Sequence, residues 1–316
     1  MICQQRAEKM SVLVIVVNYN NSEDTISCLE SVKLSSTECD VTLIDNGSSE
    51  DEVTSLRNGL TDFSNVKLIE SEDNLGFSGG VNLGLRDSRT GNYRHILLLN
   101  NDAKLEADTV EELIRALEKN PDLGGVNPTI YDGRSGDIWF AGGKLYNWAG
   151  MVGHSRKIPK QRFSNQKDSI VLPSGYLNGC CVLFRREVFG DIGELDEDLF
   201  MYGDDIDISY RMRDAGWRLG YVPESTAHHW VSASTGQPEI RFNQFRAYYD
   251  SRNWILVQRK RGLKGTIPIL CQLTVIFPYH IVLMLYQKSA RSIKWYIRGI
   301  IDGLKNNVGR CTDVEK

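Results

Sequence analysis

The sequence predicts an α/β fold in which helices cover both faces of a mostly parallel, doubly wound sheet. Through about the first 120 residues, short apolar runs alternate with helical patterns, and polar clusters follow three of these runs directly. Continuous apolar runs are typical of parallel strands that are buried on both faces. The chain of 316 residues is long enough for one large domain with an appendage.

The first part of the chain predicts three strands with helices between them. The β-branched run Val12–Val17 predicts the first strand, and a helix that Asn21 or Ser22 can cap follows it. Val41–Ile44 predicts the second strand, which ends at a polar cluster. A helix is expected from about residue 49 to residue 60, and a third strand over 66–69.

The next part of the chain continues the alternation. Residues 74–85 combine loop glycines with a helical pattern, and His95–Leu99 predicts a fourth, fully buried strand. Asp108 is expected to cap a helix whose apolar residues fall on one face and which Asn120 and Pro121 close. These elements complete the pattern expected of a doubly wound sheet.

The second half of the chain is less regular. Residues 131–175 are rich in Gly, Ser, Asn and Lys, which predicts hairpins and a mobile loop. Gly179–Phe184 predicts a buried strand, Asp204–Ala215 a helix, and Leu219–Val222 a short strand ahead of two adjacent histidines.

A shift in composition near residues 237–238 divides the chain into two expected domains, 1–237 and 238–316. Residues 239–261 predict a long helix rich in aromatic residues and Arg, and Ile267–Leu285 is mostly apolar. Residues 241–300 hold eleven Lys or Arg against one acid, Asp250, although the whole chain has a net charge of −4. A basic segment of this kind suggests an anionic surface or ligand.

The apolar segment has three possible interpretations. Its nineteen residues approach the length of about 20 that crosses a bilayer, but two prolines and several polar groups weaken that interpretation. A buried core helix is the simplest alternative. The basic flanks favour an in-plane or re-entrant helix against anionic lipid. Nucleic acid is the competing target, but no recognised motif supports it, and we expect no nucleic-acid partner.

The cysteines indicate the redox compartment. Seven cysteines are scattered without a CxxC pair, which fits a reducing cytosol. The early apolar run Val12–Val17 has no small-residue cleavage site behind it, so it reads as a strand and not as a signal peptide. Together with the basic apolar tail, these features predict a cytoplasmic protein that is peripherally attached to the cytoplasmic face of a membrane.

Three predicted strands end in polar clusters, namely 18–20, 45–48 and 100–102. Asp, Asn and Gly are common in plain turns, but a shared edge of the sheet explains all three clusters at once. Ligands of open α/β sheets bind at the carboxyl ends of the strands. We therefore expect Asp45 to accept hydrogen bonds from a nucleotide base or ribose, and Asp102 to hold a divalent cation against a phosphate.

Two common nucleotide-binding motifs are missing from this sequence. The first predicted strand is followed by Asn-Tyr-Asn-Asn without glycines, so the GxGxxG fingerprint of nicotinamide or flavin domains is not met. The pattern GxxxxGK[ST] is also absent, which disfavours a P-loop NTPase.

Two further clusters are candidates for chemistry. Asp204, Asp205 and Asp207 lie at a predicted helix start, where one acid would suffice for capping. Asp205 is the candidate general base. His229, in the His228-His229 pair, is a candidate partner of Asp102 in an octahedral Mn²⁺ or Mg²⁺ site, although adjacent histidines can simply pack at a strand end.

These segments together resemble family 2 glycosyltransferases of the GT-A fold, a Rossmann-like sheet, and among them the rhamnosyltransferase-like subgroup. The resemblance covers about residues 10–260 and rests on segments whose order and spacing match the family. They are Val16-Val17-Asn18-Tyr19-Asn20, Ile44–Ser48, Asn74–Asn82, Leu99-Asn100-Asn101-Asp102, Asn178-Gly179 through Arg186, Asp196–Asp207 through Arg211, Gly216 and Trp217, and His229–Ser234.

The resemblance implies a nucleotide-diphosphate-sugar donor and an inverting mechanism. It assigns Asp205 as the catalytic base beside Asp204, and Asp102 and His229 as metal ligands. Asp102 is the one carboxylate of an Asn-Asn-Asp motif, and Asp204 stands where the family usually has Glu. The expected substrate-binding residues are Asn18, Tyr19, Asn20, Asp45, Asn74, Gly76, Phe77, Asn82, Asn101, Asp207 and Trp217.

The expected reaction moves a sugar from dTDP-rhamnose or a UDP-sugar to a hydroxyl of a lipid-linked saccharide in cell-surface polysaccharide synthesis. Two other functions compete with it. A catalytically silent sugar-nucleotide-binding or membrane scaffold protein would explain the reduced metal motif. A nucleotidyltransferase would need a Gly-rich basic loop after the first strand, which residues 18–21 do not provide.

Overall fold

The structure is a computed structural model that describes residues 12–89, 91–159, 170–230, 243–287 and 289–315. Its strands are β1 (Val12–Asn18), β2 (Cys39–Asn46), β3 (Val66–Ser71), β4 (His95–Leu99), β5 (Ala103–Leu105), β6 (Leu123–Asp132), β7 (Ile138–Phe140), β8 (Gly143–Tyr146), β9 (Met151–His154), β10 (Leu172–Pro173), β11 (Cys181–Arg185) and β12 (Arg218–His229). Its helices are α1 (Ser22–Lys33), α2 (Glu50–Gly59), α3 (Gly76–Ser88), α4 (Thr109–Lys119), α5 (Val188–Ile192), α6 (Asp204–Asp214), α7 (Gln244–Lys260), α8 (Leu263–Cys271), α9 (Phe277–Tyr286) and α10 (Ala290–Lys305).

One mixed sheet holds most of these strands, in the order β10-β12-β6-β11-β4-β1-β2-β3. Strands β3, β2, β1 and β4 are mutually parallel, as are β6 and β12, whereas β11 runs antiparallel between β4 and β6. The predicted α/β class with a mostly parallel sheet is confirmed. Strands β8 and β9 form a separate hairpin within the segment where hairpins were expected.

Strand β1 shows why the apolar runs form the centre of this sheet. Val12, Val14 and Val16 pack into one buried cluster, whereas Leu13 and Ile15 pack into another on the opposite face. Each of these five residues therefore loses its contact with water, which stabilises the fold by about 1.5–3 kcal/mol per large apolar side chain. Such positions favour apolar residues, and in β1 the first polar residue is Asn18, where the strand ends.

Helix α3 lies directly on β1 because its glycines leave room. A Cβ atom on Gly80 would lie 2.8 Å from a methyl of Val17, and one on Gly84 would lie 2.7 Å from Ile15. The glycines of this segment, which suggested a loop in the sequence, therefore serve close packing of a helix on a strand.

The antiparallel strand β11 positions a loop at the end of β4. In this pair Cys181 lies opposite Leu99, so β11 begins where β4 ends. The backbone N–H of Asn100 donates to the carbonyl of Cys180 at 2.8 Å. Residues 178–180 therefore border the carboxyl ends of the parallel strands.

Several predicted strand boundaries were wrong, and two of them concern candidate site residues. The short strand expected over 219–222 is β12, which extends to His229 and contains both histidines. Its register shifts between Val222 and Thr226, and such an irregularity interrupts the alternation that reveals a strand. Strand β2 also continues through Asp45 and Asn46, which were expected to lie beyond its end.

Residues 263–286 form one continuous helical segment, with a π-helical turn, Gln272–Ile276, between α8 and α9. The segment has 24 residues and a mean hydropathy of 1.8 over its most apolar window, so it is long and apolar enough to cross a membrane. Only 22% of that window is buried in the protein. This exposure argues against a buried core helix.

Helix α7 shares a core with the sheet domain. Leu256 and Val257 of α7 pack with Leu199, Ile206 and Tyr210 in one buried cluster. The expected domain boundary at residues 237–238 lies outside the described residues. The C-terminal helices are therefore joined to the first region by buried contacts.

Candidate active site

The carboxyl ends of β1 and β2 form the floor of the site. Asn18 and Asp45 are direct neighbours in the β1–β2 register, and the Asn18 amide Nδ2 donates to Asp45 Oδ1 at 2.8 Å. The Ser48 hydroxyl donates to the same oxygen at 2.6 Å, and the Ser48 N–H donates to Asp45 Oδ2 at 3.1 Å. Asp45 therefore lies buried with three bonds to the protein and acceptor capacity for about one more.

The same network extends to the loop after β4. Thr25 donates through its hydroxyl to Asn18 Oδ1 at 2.8 Å, and Asn101 Nδ2 donates to the Thr25 hydroxyl at 3.0 Å. Three segments that are distant in sequence thus meet at one edge of the sheet, as the polar clusters predicted. Since the Asn101 amide is engaged here, it holds the loop that carries Asp102.

The turn at residues 74–76 borders this edge of the sheet. Asn74 Oδ1 accepts the N–H of Gly76 at 2.9 Å, and Asn46 Nδ2 donates to the Gly76 carbonyl at 3.0 Å. Asn20 joins the end of β1 to the turn after β2, because its N–H donates to the Ser48 hydroxyl at 2.8 Å. Tyr19 is 41% exposed, so its ring is available to a flat ligand.

Asp102 and His229 meet at the end of β4. Strand β5 follows Asp102 directly and pairs with β12, so that Ala103 lies opposite His229. His229 Nε2 lies 3.0 Å from Asp102 Oδ1, and both side chains are less than a tenth exposed. The other ring nitrogen of His229, Nδ1, is buried without a hydrogen-bond partner in the described part of the chain.

This pair could supply two donor atoms to a divalent cation. A carboxylate oxygen and an imidazole nitrogen suit Mn²⁺ or Mg²⁺ when phosphate and water oxygens complete the shell. Within the described ranges, no group of three or more His, Cys, Asp or Glu side chains is placed to hold a metal. The residues therefore fit a cation that is shared with a ligand.

Asp204 and Asp205 begin helix α6 beside the loop before β11. A Cβ atom on Gly179 would lie 3.8 Å from Asp204 Oδ2, 3.8 Å from the Asp205 Cβ and 3.9 Å from the Phe77 ring. Since residues 178–180 also border the end of β4, the acidic helix start faces the edge that carries Asp102.

The surroundings of the two acids oppose ionisation. Burial raises the pKa of Asp204, and the charge of Asp207 raises it further. Burial is also the main cause that raises the pKa of Asp205, followed by the carboxylate of Asp204. Backbone N–H groups of Ile206 and Gly179 act in the opposite direction. Asp205 is therefore more basic than an ordinary carboxylate, which suits a proton acceptor.

The turn that leads into these acids is strained. Phe200 has φ 62° and Tyr202 has φ 64°, although neither is glycine, and Gly203 follows with φ 86°. Each non-glycine residue in this region costs about 1–3 kcal/mol, so surrounding contacts must hold the turn.

Two residues of α7 hold this turn. Asn253 Nδ2 lies 2.8 Å from the carbonyl oxygens of Leu199, Met201 and Tyr202. Arg252, which is 1% exposed, donates to the Leu199 carbonyl at 2.9 Å and to Asn253 Oδ1 at 2.8 Å. Neither residue is marked in the sequence, because the aromatic and Arg-rich pattern of this helix does not reveal contacts with residues about 50 positions away.

Replacing Asn253 by Ala should lower the free energy of unfolding by about 1–3 kcal/mol, because the variant leaves buried carbonyl groups without a donor. Urea denaturation measures the change. Asn65→Ala is the matched control, since Asn65 Nδ2 donates to one carbonyl, that of Cys39. An Asn253→Ala variant as stable as the control would show that the turn is held by other contacts.

Three predicted substrate-binding residues have other partners. Asn82 is buried and bonds to the backbone of Leu195 in both directions. Asp207 pairs with Arg211 at 2.7 Å, and burial raises its pKa. Trp217 donates to Asp191 at 2.9 Å, three residues beyond the far end of α6. Each of these three side chains is thus engaged by the protein, and their roles in binding the substrate stay predictions.

A cavity of about 600 Å³ lies elsewhere, at the start of β4. It is lined by Arg94, His95, Arg185 and Arg186 among others. Arg185 donates to the Leu117 carbonyl, and its Nε donates to the Leu123 carbonyl at 2.9 Å, so it satisfies backbone groups. Because it lies at the opposite end of β4 from Asp102, this cavity is separate from the candidate site.

Comparison with known proteins adds a family and a set of relatives. The family model for Glycosyl transferase family 2 matches residues 13–193. The chain is 26% identical over 307 residues to "Low-salt glycan biosynthesis hexosyltransferase Agl10" of Haloferax volcanii, covering 94% of this chain and 92% of the relative. It is also 26% identical over 276 residues to "N-acetylglucosaminyl-diphospho-decaprenol L-rhamnosyltransferase" of Mycobacterium tuberculosis, covering 79% and 85%.

Solved structures share the fold. The mannosyltransferase PcManGT from Pyrobaculum calidifontis, solved in complex with GDP-Man and Mn²⁺, matches with a TM-score of 0.59 and 13% identity. The match covers 94% of this chain and 87% of that chain.

Proposed function

Since this chain belongs to glycosyl transferase family 2, we propose that it transfers a sugar from a nucleotide-diphosphate donor to a hydroxyl of a lipid-linked saccharide, with inversion. The chain is a glycosyltransferase with the GT-A fold. The observation that carries the proposal is the loop before β11, which joins two parts of the site. Gly179 adjoins Asp205, and Cys180 bonds to the backbone beside Asp102.

The donor nucleotide is proposed to bind at the ends of β1 and β2. Asp45 retains acceptor capacity for a base or ribose donor, and the exposed Tyr19 offers a face for stacking. We propose that a donor bound in this way directs its diphosphate towards Asp102 and His229. Asn18, Asn74 and Gly76 shape this edge through their bonds within the protein.

Asp205 is proposed to act as the general base. It accepts the proton of the acceptor hydroxyl while that oxygen forms a bond to the anomeric carbon. The bond from the anomeric carbon to the diphosphate oxygen breaks, and the nucleoside diphosphate leaves with the electron pair. One displacement from the opposite face inverts the anomeric configuration.

Asp102 and His229 are the residues that would hold a divalent cation, Mn²⁺ or Mg²⁺. When bound, the cation would supply positive charge to the leaving diphosphate as a Lewis acid. Asn101 fixes the loop that carries Asp102 by donating to Thr25. The PcManGT mannosyltransferase was solved with Mn²⁺, which supports the same choice here.

The donor and acceptor are proposed from the relatives. The mycobacterial relative is named as a rhamnosyltransferase of a diphospho-decaprenol-linked sugar, and a Shigella flexneri relative is named as a dTDP-rhamnosyl transferase. We therefore propose dTDP-rhamnose as the first donor to test, with UDP-sugars as the second.

A transfer assay with radiolabelled donor, in Mn²⁺ and in EDTA, tests the function. Label should pass to a prenyl-diphosphate-linked sugar in Mn²⁺, and EDTA should stop the transfer. Tight donor binding without transfer or hydrolysis would instead favour a catalytically silent sugar-nucleotide-binding protein.

Replacing Asp204 by Asn should shift the acid limb of the pH–rate profile to lower pH. Asp205 must be ionised to accept a proton, and the Asp204 charge raises the pKa of Asp205. Removing that charge lowers the pKa, so the base stays ionised in more acidic solution. The profile of kcat/KM measures the shift, and an unchanged or opposite shift would contradict the assignment of Asp205.

The helical segment 263–286 is proposed to lie against the membrane surface. Its exposed apolar side chains include Ile267, Val275 and Val282, each more than half exposed. Lys264 lies at one end of the segment and Arg291 beyond the other. An exposed apolar face with basic flanks is the pattern of a helix bound in the lipid interface.

The triple variant Ile267→Ser, Val275→Ser and Val282→Ser should bind phosphatidylglycerol-containing vesicles at least about 10-fold less tightly, because three apolar side chains no longer enter the interface. Co-sedimentation measures binding. Leu34→Ser is the control, since Leu34 is 75% exposed elsewhere on the protein. Equal binding by the triple variant and the control would contradict the membrane proposal.

A further inference from the structure

A basic cavity, separate from the candidate active site, lies between α7 and α10. Gln244, Arg291, Lys294 and Trp295 line a cavity of about 350 Å³. Arg291 and Lys294 are both exposed, and they are one turn apart on α10, so that their charges face the same side.

These two cations differ from their neighbour Arg298. Arg298 pairs with Asp313 at 3.0 Å, and with Asp302 at 3.6 Å. In the described part of the chain, Arg291 and Lys294 have no ion-pair partner within 4 Å. Their charge is therefore available to an anion.

The cavity adjoins the turn that carries the candidate base. Gln244 is followed by Phe245, whose ring lies 6.2 Å from that of Tyr202, and by Arg246, whose guanidinium lies 5.7 Å from the same ring. Tyr202 precedes Gly203 and the acidic pair at the start of α6.

The cavity also adjoins the exposed apolar face. Helix α9 ends at Tyr286, which is 86% exposed, and α10 begins four residues later. His280 of α9 bonds to the Tyr296 hydroxyl at 2.8 Å, so the two helices pack together beside Trp295. The cavity with Arg291 and Lys294 thus lies between the turn at residues 200–203 and the exposed apolar surface of segment 263–286.

We infer that this cavity binds the diphosphate group of an isoprenyl-diphosphate-linked acceptor. The inference rests on the proposed function and deepens it. Such an acceptor carries a sugar at one end, a diphosphate next to the sugar and a lipid tail at the other end. The surface presents matching groups in the same order: the candidate base, two cations and an exposed apolar helix. Arg291 and Lys294 supply charge-assisted hydrogen bonds to the phosphate oxygens, and the tail lies towards the apolar helix.

Binding of farnesyl diphosphate, measured by calorimetry without donor or transfer, tests the inference. The wild type should bind it at least about 10-fold more tightly than farnesol or inorganic pyrophosphate, because both the charged head and the apolar tail contribute. The double variant Arg291→Gln/Lys294→Gln should bind it at least about 10-fold more weakly. The variant Lys144→Gln/Lys305→Gln, which removes the same charge from exposed positions elsewhere, should bind as the wild type does.

Two results would overturn the inference. One is equal affinity of the wild type and the Arg291/Lys294 variant. The other is displacement of farnesyl diphosphate by soluble glycerol 3-phosphate at equal phosphate concentration, which would assign the cavity to a phospholipid headgroup. Because binding is measured without sugar transfer, a protein that binds farnesyl diphosphate as expected but transfers no sugar would overturn the proposed function alone.

Discussion

Replacing Asp205 by Asn should lower the rate of sugar transfer by about 10²–10⁴-fold while donor binding persists, because the amide keeps the shape of the carboxylate but accepts no proton. The start of α6 beside Gly179 is preserved in this variant, so the donor site should be intact. Initial rates with labelled donor, together with donor affinity from calorimetry, measure the two effects separately.

Asp214→Asn is the matched control for this variant. Asp214 ends the same helix, is exposed and pairs with Lys264 at 2.6 Å, so its loss should leave the rate within about two-fold, as for most surface changes. Near-normal turnover by the Asp205→Asn variant would remove Asp205 from the mechanism.

Replacing Asp102 by Asn should raise the Mn²⁺ concentration for half-maximal rate by about 10–100-fold and lower the rate at saturating donor. Asp102 is the one carboxylate of the Asn-Asn-Asp motif, and its partner His229 is neutral when it binds a metal. Initial rates across a Mn²⁺ titration measure the change.

Asp108→Asn is the control for this titration, because Asp108 is exposed at the start of α4 and away from the pair. Full activity of the Asp102→Asn variant in EDTA would show that the reaction needs no cation held by this carboxylate.

The sequence could predict the floor of the site because one physical rule governs it. Strands buried on both faces are mainly apolar, and here polar side chains gather at their carboxyl ends, so Asn18, Asp45 and Asp102 mark the same edge. The structure joins the first two directly, and Asn101 links the third to them through Thr25.

The contacts that connect the rest of the site could not be predicted from local patterns. Because β11 runs antiparallel to β4, residues 178–180 contact both β4 and α6. An apolar run in a sequence does not show whether its strand is parallel or antiparallel to its neighbours. Because the register of β12 shifts after Val222, the sequence pattern did not predict that this strand continues to His229. The turn at 200–203 is held by Asn253, a contact that only the tertiary fold creates.

The C-terminal region shows the same limitation. Its composition predicted a basic, helical region but not its buried contacts: α7 packs into the core beside α6, and Arg252 is buried against the turn at residues 199–203. The composition of a helix indicates which of its faces are apolar or charged. Whether a face is buried depends on which other elements pack against it in the tertiary fold.

A crystal structure of the Asp205→Asn variant with a nucleotide sugar and Mn²⁺ tests most directly whether these residues form one donor site. We predict that the base or ribose bonds to Asp45, that the diphosphate and the cation lie between Asp102 and His229, and that the anomeric carbon faces residue 205. A nucleotide bound at another edge of the sheet, or a cation held away from Asp102, would contradict the proposed site.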